Sequence, residues 1–152
     1  MGLRDRITEA MKTALKAKQT KRLSTVRLML AAIQAQGIAV KNENLTDDEI
    51  LSVLAKMIKQ REDSAATYHQ GGRPELAEAE RDEITVIREF MPKQMSPDEA
   101  KAATQGIIAE FGASSMKDMG KVMAALKERY AGQMDFGKAS ATVKELLTTP
   151  KA

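Results

Sequence analysis

The chain has 152 residues, 43% apolar and 30% charged, which is too hydrophobic for disorder, too evenly charged for a membrane span and long enough to bury a core. With no cysteine it can form no disulfide, thiolate zinc site, iron–sulfur cluster or cysteine nucleophile. The formal net charge of +3 hides a division: residues 1–45 carry nine Lys/Arg against three Asp/Glu, residues 46–92 six against eleven, and residues 93–152 nine against seven. Basic ends around an acidic middle point to an anionic partner, although a solvated helix surface produces the same pattern.

Aromatic residues make up only 3%, and Ala, Leu, Met, Lys, Glu and Gln dominate, the types that lose least on entering a helix. No segment alternates apolar and polar residues over strand length, so an all-α fold is expected. The start, MGLRDRITEAMK, has charges at Arg4, Asp5, Arg6 and Glu9 with no apolar run behind them. No secretory signal or anchor is expected there, and the expected localisation is cytoplasmic.

The first helix is expected from about Leu3 to Lys18, with Leu3, Ile7, Ala10, Met11, Ala14 and Leu15 on one stripe. A second apolar series, Leu23, Val26, Leu30 and Ile33, leads to Gly37, read as a helix stop. Thr46 followed three residues later by Glu49 spells a capping box, opening a third helix that runs through Ile50, Leu54, Ile58 and Ala65 to Gly71-Gly72. Pro74 suits the first turn of a fourth, with Leu76, Ala77, Ile84, Ile87 and Met91 inward, and Phe90-Met91-Pro92 breaks it.

The subdomain boundary is placed here, giving units of 1–92 and 93–152 with four and three helices. Ser96 and Glu99 repeat the capping box around Pro97, and the fifth helix is expected to turn Ala100, Ala103, Ile107, Ile108 and Phe111 inward before Gly112. Ser115 and Asp118 would cap a sixth with Met116, Met119, Met123, Leu126 and Tyr130 buried, ending by Gly132. Asp135 would cap a last helix bearing Phe136, Ala139, Val143, Leu146 and Leu147, ahead of a frayed tail from Thr148.

Searching for chemistry yields little. His69 is the only histidine and falls where a helix runs into a glycine loop, a place suited to a helix end rather than to catalysis. Glu75, Glu78, Glu80, Asp82 and Glu83 read as a solvated face paired with Arg81 and Arg88. Nucleotide-binding and serine-hydrolase signatures are missing, and Gly71-Gly72-Arg73 is a weak anion turn. No catalytic residue, metal or cofactor is assigned. The basic corner of Lys12, Lys16, Lys18, Lys21, Arg22 and Arg27 would suit an RNA backbone, although the same cations stabilise a helix C-terminus; without aromatics it offers no base stacking.

The segment Lys117-Asp118-Met119-Gly120-Lys121-Val122-Met123, then Gly132 and Gly137-Lys138-Ala139-Ser140, resembles the YqeY family. So do Leu3 to Ile7, Arg22 to Arg27, and Lys56 to Arg61 with Asp63-Ser64, and the likeness covers nearly the whole chain. The family's C-terminal part is similar to the tRNA-binding tail of the glutamine-dependent aminoacyl-tRNA amidotransferase B subunit, whose amide chemistry lies in other domains. The resemblance implies two helical subdomains and a non-catalytic tRNA-binding or tRNA-enzyme accessory protein. Its partners would be tRNA and an aminoacyl-tRNA synthetase or amidotransferase, with no membrane. Lys117, Lys121 and Lys138 would be the phosphate contacts, and Gly120 a place where a backbone comes close, of RNA or of a packed helix. The alternatives are a protein-interaction module working through a Met-rich helix surface and, lacking any nucleophile arrangement, an amidase-like ligase within a complex.

Overall fold

Residues 2–148 are described by the computed structural model, and every regular element among them is helical. In chain order these are α1 (Leu3–Lys16), α2 (Thr20–Ala39), α3 (Asp47–Gln70), α4 (Pro74–Arg88), α5 (Pro97–Phe111), α6 (Met119–Arg129) and α7 (Phe136–Thr148). A single 3-10 turn, Met116–Asp118, leads into α6. The fold is all-α, as the composition required, and the chain divides into two units, Met1–Pro92 and Lys93–Ala152. Thr148, the first residue of the tail expected to fray, is still helical, and the rest of that tail lies outside the described residues. None of the described helices is long and apolar enough to cross a membrane.

Short-range side-chain chemistry sets the helix starts. Thr46 accepts from the Glu49 amide at 3.2 Å while the Glu49 carboxylate accepts from the Thr46 amide at 3.1 Å; Ser96 and Glu99 do the same at 3.1 Å each. Pro74 and Pro97 occupy first-turn positions that have no amide partner to lose. At α1 the cap comes from far away: the Leu3 amide donates to the Asp47 carboxylate at 3.1 Å, so the start of α3 closes the start of α1.

Helix ends depart from the expected pattern at two places. Helix α1 stops at Lys16, because Lys18 takes a left-handed φ of 56° and the Gln19 amide turns back to the Ala14 carbonyl at 3.0 Å. Helix α2 runs through Gly37 to Ala39 and ends in the same way, with Lys41 at φ 57° and the Asn42 amide on the Gly37 carbonyl at 2.9 Å. Gly37 is therefore a buried helical residue and no stop. Its missing side chain makes room for the returning loop, since a Cβ there would lie 3.0 Å from the Asn42 carbonyl oxygen.

In the first unit α3 packs along α4 and α1 along α2, with α2 also against α3 and α4. Ile7, Val26, Met29, Ile33, Leu54 and Ile87 are fully enclosed. In the second unit Ile107, Val122, Leu126, Met134, Val143 and Leu147 form the centre. Two expected faces rotate. Helix α6 buries Val122, Ala125 and Leu126, so Met119, Met123 and Tyr130 border the core and Met116 is exposed. Helix α5 buries Thr104 and Ile107, and Phe111, expected inside, stands 48% exposed. Thr104 is tolerated there because its hydroxyl donates to the Ala100 carbonyl at 2.8 Å.

Candidate nucleic-acid interface

Beyond α5 the chain reverses at Gly112 and enters a turn shaped by one carboxylate. Asp118 accepts from the amides of Ser114 at 3.0 Å and Ser115 at 3.4 Å, which fixes the 3-10 turn that carries Lys117. The Ser114 amide chiefly holds the Asp118 carboxyl below its usual range, with the Ser115 amide and the Lys121 charge adding to it. Gly120 and Lys121 follow in the first turn of α6. Lys138 lies in the first turn of α7, where the Asp135 carboxylate accepts from the amides of Gly137 at 2.8 Å and Lys138 at 3.3 Å. The 3-10 turn packs against both α6 and α7, which makes the carriers of all three lysines neighbours.

Lys117, Lys121 and Lys138 are exposed, and none forms an ion pair among the described residues. Gly120 is exposed with them, and a Cβ built on it meets no atom within 4 Å. No neighbouring helix accounts for that glycine, and the expectation that an alanine methyl would press on a protein backbone does not hold. What remains is a cation-flanked stretch of helix open to approach from solvent.

The basic corner of the first unit is different. Lys12 pairs with Glu9 at 3.4 Å, and Arg22 is half-buried, joined to Glu89 and lying over the Phe90 ring at 6.0 Å from its centroid. Arg22 thus ties α2 to the end of α4. Lys16, Lys21 and Arg27 are exposed and form no ion pair among the described residues.

Other acidic side chains pair with arginines, at the surface except for Arg61 with Glu83, which is half-buried. Glu75 binds Arg73 at 2.7 Å, Glu78 binds Arg81 at 3.5 Å, Glu83 binds Arg61 at 2.7 Å, and Glu62 binds Arg88 at 3.1 Å. The Arg73 hydrogen bond chiefly holds Glu75 below the usual carboxylate range. Gly72, at φ 73°, ends α3 with the Arg73 amide on the Tyr68 carbonyl at 2.8 Å, and His69 is exposed in that last turn. Among the described residues no three His, Asp or Glu side chains are grouped to hold a metal ion.

One arrangement was invisible in the sequence. Arg129 at the end of α6 reaches Glu110 through two parallel hydrogen bonds, 2.6 and 2.8 Å, and its guanidinium lies over Phe111, 5.9 Å from the ring centroid. These residues are 19 apart, so no local spacing signals the contact.

A family model described as Yqey-like protein matches residues 4–147. Similar relatives carry the name "Altered inheritance of mitochondria protein 41, mitochondrial". That of Kluyveromyces lactis is 32% identical over 84 residues, covering 55% of this chain and 45% of its own. That of Vanderwaltozyma polyspora is 27% identical over 115 residues, covering 72% and 62%. In Clavispora lusitaniae the figures are 28% over 140 residues, covering 90% and 80%. The matched region therefore spans less than two thirds of the first two of these relatives.

Proposed function

The chain belongs to the YqeY-like family, and from that premise we propose that it is a non-catalytic tRNA-binding or tRNA-enzyme accessory protein of the cytoplasm. Its C-terminal unit would correspond to the amidotransferase B-subunit tail, with an aminoacyl-tRNA synthetase or amidotransferase as the enzyme served. The observation that carries this reading is the open Gly120 face between Lys117 and Lys121, both exposed and outside any ion pair among the described residues. Gly120 is the second residue of α6, and a glycine in a helix costs up to about 1 kcal/mol against alanine. Where no protein atom fills the space, an RNA backbone coming close is a reason to keep it. Lysines fit that role because they neutralise phosphates without reading bases, which gives affinity that falls steeply with salt.

A protein-docking reading rests on different side chains from those expected. Met116 is exposed, but Met29, Met57 and Met134 are buried; the other large apolar groups exposed are Leu15, Leu28, Ile38, Val40 and Phe111. Docking through them would be insensitive to salt, so a titration separates the two readings.

The test is filter binding of unfractionated tRNA at several salt concentrations, with helicity by circular dichroism as the control. Changing Lys117, Lys121 and Lys138 together to Ala should weaken binding to every tRNA alike and flatten the logarithmic salt slope by up to about three units. Unchanged affinity in the folded triple variant moves the contact to Lys16, Lys21 and Arg27, and a parent protein without salt-sensitive binding ends the RNA reading.

A further inference from the structure

Phe111 departs from the burial pattern of its own unit. It lies one helical turn beyond Ile107, which is buried, but α5 ends there, Gly112 turns the chain at φ 61°, and Ala113 takes the enclosed place with its amide on the Ile108 carbonyl. The ring is left outside, at a cost of the order that any large apolar side chain forgoes when it is not buried. It is nevertheless held in position. The Arg129 guanidinium lies over it, and the fork of two hydrogen bonds that it donates to the Glu110 carboxylate fixes the guanidinium plane and balances its charge. The Glu110 carboxyl lies below its usual range because of the Arg129 hydrogen bond, which keeps the pair ionised together.

We propose that Phe111 is a stacking contact for an unpaired base of the bound RNA, with Arg129 and Glu110 as the positioning residues that hold its ring. This rests on the RNA reading above and adds to it a contact with the bases. A rigid aromatic face is what an unpaired base needs, and it selects no sequence because every base offers a π-face. A duplex keeps its bases inside the stack and cannot use it. The charge distribution agrees, because the chain runs from this ring into the turn that carries Lys117, so phosphate and base contacts would share one unit. Arg129 covers one face of the ring, so a base would stack on the other, beside a polar ion pair that suits a flat polar-edged base better than an apolar protein surface.

The test compares Phe111→Ala, Phe111→Leu and Phe111→Trp in the full chain, measuring binding to unfractionated tRNA and to a blunt-ended RNA duplex across a salt series. Loss of one base stack should weaken tRNA binding by about fivefold to 150-fold in the Ala variant. The Leu variant should be weakened too, the Trp variant should bind like the parent, and the salt slope and duplex affinity should stay unchanged. The parent has no tryptophan, so the fluorescence of Phe111→Trp reports this position alone and should be quenched by tRNA and not by duplex. Equal loss on duplex, full recovery with Leu, or a Trp variant as weak as the Ala variant each overturns the stacking contact. Steep salt-dependent binding of tRNA by the parent that Phe111→Ala leaves untouched also overturns it while the RNA reading stands; a parent that binds no tRNA at any salt removes both.

Discussion

Each unit contains a Glu-Phe pair at the end of a helix, met by an arginine from another helix: Arg22 with Glu89 and Phe90, Arg129 with Glu110 and Phe111. The residue types and the ring-to-guanidinium distances of 6.0 and 5.9 Å are nearly the same. Yet Phe90 is 7% exposed and Phe111 48%. The difference comes from the neighbours of the ring. Phe90 follows the last turn of α4, whose Ile84 and Ile87 are buried, and joins that core, whereas Gly112 turns the chain directly after Phe111 and Ala113 is the residue that is buried there. The same three side chains thus lock a core in one unit and display an aromatic surface in the other.

Stability should separate the two rings most strongly. Phe90→Ala removes a buried ring and leaves a cavity under Arg22, and should cost about 3–5 kcal/mol. Phe111→Ala removes a half-exposed ring and its contact with Arg129 and should cost about 1 kcal/mol, well below the loss at Phe90. Urea denaturation followed by circular dichroism measures both. Similar losses at the two positions would break the comparison, since Phe111 would then be a core residue.

The two units also hold contrasting helical glycines, with a smaller expected effect. Alanine is the better helix former by about 1 kcal/mol, so the surroundings decide the sign. At Gly120 nothing lies within 4 Å of the new methyl, and Gly120→Ala should stabilise by up to about 1 kcal/mol. At Gly37 the methyl meets the Asn42 carbonyl oxygen at 3.0 Å, and that carbonyl belongs to the turn closing α2. Overpacking of this kind costs about 1–3 kcal/mol, so Gly37→Ala should be destabilising by about 1 kcal/mol net. If Gly120→Ala stabilises the fold and yet weakens tRNA binding, the glycine serves the ligand; if binding is unchanged, the open face is no contact.

How much of this was legible depends on the range of the interaction. Thr46 with Glu49, Ser96 with Glu99, Pro74 and Asp135 announce helix starts because each acts over three residues or fewer. Gly37 misled because a glycine is used either for positive φ or for lack of a Cβ, and only the returning loop shows which. The left-handed lysines, Lys18 and Lys41, carry no residue-type signal at all. On α6 two adjacent stripes were both apolar; the compact Val122 and Ala125 won the centre, and the longer Met119 and Met123 reach it from the border. Exposure of Lys117, Lys121 and Lys138 followed from their type. The engagement of Arg22 by Glu89, 67 residues away, did not.

The smallest difference between the units concerns acid. Glu99, Glu110 and Asp118 of the second unit lie below the usual carboxylate range, held there chiefly by the Ser96 amide, Arg129 and the Ser114 amide respectively, whereas Glu75 in the first unit is held by Arg73 within its own turn. A carboxyl whose folded pKa is depressed contributes stability that is present above its unfolded pKa and lost as pH falls through the folded one. For these groups the loss begins below about pH 4, and because Glu75, Glu99 and Glu110 are exposed and Asp118 is only half-buried each contribution is small. Glu99, Glu110 and Asp118 shape the α5 cap, the Phe111 support and the Lys117 turn, so acid should loosen the candidate interface as these groups protonate. The Ser114 amide proton, donated to Asp118, is the direct probe: in an NMR titration it should move upfield as that hydrogen bond weakens, with a midpoint below about 3.9, the ordinary aspartate value. Asp118→Asn should abolish the titration. A midpoint at or above the ordinary value would mean that Asp118 does not hold the turn, and Lys117 would then lack the fixed position on which its role as a phosphate contact depends.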